Sequence, residues 1–68
     1  MTILEIAAEY RKSAEMIRGR LTELRKLERA ETDDDIRCSL HRRILELRPL
    51  ANDCAKIAKI LEVYYANK

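Results

Sequence analysis

An all-α antiparallel hairpin of two long helices is the fold this sequence predicts, and three observations predict it. Only one Gly and one Pro occur among 68 residues. Apolar residues recur at alternating steps of four and three, the period of a helical seam. A single acidic cluster, Thr32-Asp33-Asp34-Asp35, interrupts that pattern near mid-chain. With 47% hydrophobic and 38% charged residues, the composition is too apolar for disorder and too poor in turn formers for a β fold.

The first helix is expected over about residues 2–30, on the stripe Ile3, Ala7, Tyr10, Ala14, Ile17, Leu21 and Leu24. With Ile3, Tyr10, Ile17 and Leu24 as d positions, the a positions are Ala7, Ala14, Leu21 and Glu28, so small residues alternate with large ones. Leu4 and Met16 lie off the stripe, and Gly19 falls on the outermost position, where it costs about 1 kcal/mol relative to alanine.

A turn at about residues 31–32 follows. There Thr32 is expected to cap the amide three residues on, and the aspartates place negative charge in the first turn, where the helix dipole favours it. The same triplet lacks the glycine and the spaced acceptors of a calcium loop.

The second helix is expected over about residues 33–66, on Ile36, Leu40, Ile44, Leu47, Ala51, Cys54, Ala58, Leu61 and Tyr65. Pro49 removes one amide donor, but the stripe passes through Leu47, Ala51 and Cys54 without a slip, so a continuous helix kinked near Pro49 is expected. The two helices, roughly 29 and 34 residues long, match in length. Folding about Glu31-Thr32 should bring Ile17 near Leu47, Tyr10 near Cys54 and Ile3 near Leu61, with Tyr64 and Tyr65 closing the core beside Ile3 and Ile6.

A chain of 68 residues forms one domain, 1–68. A core of this size supplies only roughly 3–5 kcal/mol, so help from a partner is expected. Self-association completing a four-helix bundle, as a homodimer or tetramer, is the simplest source. The expected interface comprises Leu4, Ile6, Tyr10, Ile17, Leu21 and Leu24 on the first helix. Leu47, Leu50, Ile57, Leu61 and Tyr64 supply it on the second. An unlike helical protein could use the same stripe.

No apolar run approaches the ~18 residues of a membrane span. Met1-Thr2-Ile3-Leu4-Glu5 meets a carboxylate too soon for a secretory signal, so a reducing cytoplasm with free Cys38 and Cys54 is expected.

No motif carries recognisable chemistry: no catalytic residues, cofactor or metal site are assigned, and the chain is read as non-enzymatic. Cys38 and His41 stand three apart, yet no second ligand pair exists in the chain. The net charge of +2 comes from 14 basic against 12 acidic residues, an ordinary solvated helix surface. Glu15 three residues before Arg18 belongs to that surface.

Arginines do crowd the half of each helix near the turn, and Arg18, Arg25, Arg42 and Arg43, duplicated in a dimer, could grip phosphates. Nucleic-acid binding by a small regulator is therefore the alternative to an oligomerisation or adaptor module. Carboxylates in the same half make it the less favoured of the two.

Certain segments carry a resemblance: Tyr10-Arg11-Lys12-Ser13-Ala14, Ile17-Arg18-Gly19-Arg20-Leu21, Leu24-Arg25, Arg42-Arg43-Ile44 and Tyr64-Tyr65. In these the chain resembles small uncharacterised helical-hairpin proteins of bacterial prophages and other mobile elements. The resemblance implies a helical accessory protein without a known activity.

Overall fold

The computed structural model describes residues 2–66 and consists of two helices, α1 (Ile3–Ala30) and α2 (Asp34–Ala66). Thr2 starts α1: its backbone is extended and its hydroxyl accepts the Glu5 amide at 3.1 Å. Glu31 ends it. Its backbone turns extended while its amide still donates to the Leu27 carbonyl at 3.0 Å.

The start of α2 lies one residue later than the sequence suggests, because Asp33 and not Thr32 is the cap. The Asp33 Oδ1 accepts the amides of Asp35 at 2.9 Å and Ile36 at 3.2 Å. A carboxylate can serve two of the orphan first-turn amides and carries the charge the dipole favours, which a hydroxyl does not. The Glu31 side chain completes the turn by accepting the amides of Thr32 at 3.1 Å and Asp33 at 3.0 Å. The connection is thus the three residues 31–33.

Pro49 sits inside an unbroken α2. Stepping 100° per residue, it lies almost opposite the buried Ala51 line, so its missing N–H frees a carbonyl on the outer face, where water can satisfy it.

Packing follows the seven-residue seam. The buried residues are Ala7, Ala14 and Leu21 on α1 and Ile44, Ala51 and Ala58 on α2. Half-buried between them are Ile3, Tyr10, Ile17 and Leu24, facing Leu40, Leu47, Cys54 and Leu61. Leu21, Ile44 and Ala51 form the buried cluster, with Ile17, Leu24 and Leu47 packed against it. Ala7, Ala14, Ala51 and Ala58 let the backbones approach but hide a single methyl each. The hairpin therefore packs closely while burying little area.

Three expected core positions stay open. Ile36 is 48% exposed, Tyr64 55% and Tyr65 50%. Tyr65 stands in the last turn of α2, opposite the first turns of α1, where the rod ends. Tyr64 points off the seam, and Ile36 stands beside a turn where α1 is ending.

The molecule is a rod of 53 × 15 × 14 Å. Its accessible surface is 5473 Å², against roughly 4,500 Å² for a compact monomer of this mass. About 1,000 Å² more than usual is left in water.

Candidate functional site

Antiparallel helices leave two long flanks, and this chain makes them chemically different. On α2, Ile36, Arg43, Leu50, Ile57 and Tyr64 succeed one another at seven-residue steps, which aligns them on one flank. The same phase on α1 is held by Ile6, Ser13, Arg20 and Leu27. Leu27 is 56% exposed, Leu50 51% and Ile57 38%, so this flank carries an open apolar strip, chiefly on α2 and broken by Arg20 and Arg43.

Of the residues expected to self-associate, Leu4, Leu50, Ile57 and Tyr64 are exposed, and Ile6, Tyr10 and Leu61 are half-buried. Leu21 is consumed by the hairpin's own core, with Ile17, Leu24 and Leu47 packed on it, so these four first serve the fold. They lie on the seam between the helices, where intramolecular contact precedes any second copy.

The opposite flank is polar. Arg11 grips Glu62 across the helices through two bonds, Nε to Oε2 at 2.8 Å and Nη2 to Oε1 at 2.6 Å. That fork, first through its hydrogen bonds, holds the Glu62 carboxyl below and the Arg11 guanidinium above their ordinary pKa values. Nearer the turn, the His41 Nδ1–H donates to the Glu28 Oε1 at 3.1 Å, since a carboxylate can only accept. Glu28 thus fills the seam position that the leucine series leaves to it.

Between these two ties lies a groove of about 410 Å³ lined by Arg18, Leu21, Thr22, Arg25, Arg48, Ala51 and Asn52. Leu21 and Ala51 are its buried floor, and the small Ala51 is what makes it deep. Arg18 and Arg25 stand two turns apart on α1, about 10 Å along the axis, and Arg48 comes from α2.

The four arginines singled out in the sequence do not meet. Arg18 and Arg25 share this groove. Arg42 lies at the turn end beside Glu28, Asp34 and His41, and Arg43 is paired with Glu46 at 3.2 Å. Their helical phases on α2 differ by 100° and neither faces the groove. Arg48, Thr22 and Asn52 take the vacated places. Only the cross-helix register reveals them, and no signal within one segment does. Nor does Glu15 hold Arg18: the ion pairs among the described residues are Arg11–Glu62, Arg37–Asp34 and Arg43–Glu46, with His41 hydrogen-bonded to Glu28.

Both cysteines are free, Cys38 exposed and Cys54 half-buried on the seam. Among the described residues there is no group of three or more His, Cys, Asp or Glu placed to hold a metal ion, and no helix is long and apolar enough to cross a membrane. No protein-family model matches this chain, and no curated protein or solved structure matches it.

Proposed function

We propose that the chain is a non-enzymatic self-association module, in which two copies join their apolar flanks into a four-helix bundle in the cytoplasm. Area is the observation that carries this reading. The surplus of about 1,000 Å² left in water is close to the roughly 800 Å² per partner that a stable interface covers. The surplus is also apolar where a bundle needs it, along Ile6, Leu50, Ile57 and Tyr64. An isologous pairing of that strip sheathes the second side of both seams, which one hairpin leaves open. A bend of α2 at Pro49 would wrap the strip around its partner. Assembly of this kind suits the accessory role that the prophage resemblance implies.

Sedimentation equilibrium over a wide concentration range, with circular dichroism on the same samples, tests it. A dimer or tetramer of constant high helicity is expected. The Leu50→Lys/Ile57→Lys double variant should keep its helicity as a monomer, its dissociation constant raised at least about 100-fold, since each side chain anchors apolar area. A fully helical wild-type monomer at every concentration would overturn the proposal. So would a weakly helical monomer, which would assign the missing half of the core to an unlike helical protein.

A further inference from the structure

We propose that the groove between Arg18, Arg25 and Arg48 binds phosphate groups, clamping them with three guanidinium forks and the Asn52 amide. It lies on the flank opposite the apolar strip, so it does not rest on the self-association reading and stays open in the bundle.

Charge without compensation is the first ground. Three arginines line the groove and no carboxylate does. Among the described residues, none of the three side chains enters an ion pair or hydrogen bond, whereas Arg11, Arg37 and Arg43 are each matched to an acid. In a chain with 12 acidic residues for 14 basic ones, an uncompensated trio on one groove is a concentration of positive charge that its composition does not require.

Geometry is the second ground. The arginines come from both helices onto a shared floor, so an anion there is approached from two sides. Planar guanidinium forks match phosphoryl oxygens through paired N–H donors. Asn52 adds neutral donors, while the Thr22 hydroxyl already donates to the Arg18 carbonyl at 3.1 Å and so keeps its oxygen turned to the helix. Arg18 and Arg25 stand about 10 Å apart along the axis, so side chains extended straight out from the helix reach separate phosphoryl groups of one ligand. The fit is therefore to a ligand with more than one phosphate, either a free polyphosphate or a stretch of nucleic-acid backbone, and the shared chemistry is the phosphoryl oxygen.

The test is titration of the full chain with pyrophosphate, and separately with a single-stranded oligonucleotide, followed by ¹H–¹⁵N spectra resolving arginine Nε and Asn52 side-chain signals. Saturable shifts at Arg18, Arg25, Arg48 and Asn52 are expected. Arg18→Gln and Arg48→Gln should each weaken binding about tenfold with helicity unchanged, as befits loss of one charge-assisted contact. Arg20→Gln and Arg42→Gln, outside the groove, should leave it unchanged.

Displacement of pyrophosphate by the oligonucleotide from the same residues would identify a nucleic-acid backbone as the source. Saturation by pyrophosphate alone would identify a free polyphosphate. Shifts that never saturate, or that all four variants weaken equally, would reduce the effect to diffuse attraction by a basic chain and overturn the proposal.

Discussion

Ala58 is fully enclosed at 0% exposure, with Ala14 and Ala51 at 2% each, and these methyls set how closely the helices approach. Enlarging one forces the backbones apart. Ala58→Leu should destabilise the hairpin by about 1–3 kcal/mol in urea unfolding, the usual cost of overpacking. Gly19 is the converse: a Cβ built there meets nothing within 4 Å. Gly19→Ala should therefore raise stability by about 1 kcal/mol through helix propensity alone. The four-and-three spacing made the alanine seam readable from sequence, since a residue's phase needs no knowledge of the partner helix. Partners were not readable in the same way. Arg11 meets Glu62 across 51 residues of chain, and that pairing exists only once the register is set.

At the scale of the elements, the turn decides where α2 begins. Asp33→Ala removes the acceptor for two amides and should cost about 1 kcal/mol in thermal unfolding, whereas Thr32→Ala should be nearly neutral. An equal loss for the two variants would restore the threonine cap that the sequence suggests. Local chemistry alone left Thr32 and Asp33 as competitors, because both residue types cap helices well. The Glu31 carboxylate decides between them by fastening the Thr32 and Asp33 amides into the turn. Continuity through Pro49 was legible from the unbroken stripe, since a split helix would have reset its phase. The exposure of Tyr65 was not, because it depends on where both helices end.

For the whole molecule, the salient property is a rod with one apolar and one basic flank. Ile17→Asp buries a charge beside Leu21 and Leu47 and should unfold the hairpin itself, whereas charges at Leu50 and Ile57 should leave it folded and alone. Circular dichroism separates the two cases. The pH dependence follows from Glu62. Its carboxyl is held below the ordinary carboxylate range, so its stabilisation is complete above that range and is lost as pH falls through the depressed value. The difference in melting temperature between the wild type and Glu62→Gln should be present at neutral pH and fade as the medium is acidified past the ordinary carboxylate range, read by thermal melts from neutral into acid.

Arg11–Glu62 and Glu28–His41 tie the two helices near opposite ends of the rod. A seam that repeats every seven residues offers one helix an alternative resting place, a slide of about 10 Å along the other. Such a slide would set methyl against methyl again over much of its length, so the alanines oppose it weakly. The polar ties do not forbid it in one direction, because Arg18 stands seven residues after Arg11 and Arg48 seven after His41, so the slide re-forms them as Arg18–Glu62 and Glu28–Arg48. What the slide cannot keep is the short connection 31–33, where the Asp33 carboxylate holds the Asp35 and Ile36 amides. That turn is the key in a splined shaft, admitting one alignment out of several that the splines alone would accept. Lengthening the connection with glycine and serine should withdraw the key and populate slipped hairpins, read as doubled amide signals in ¹H–¹⁵N spectra.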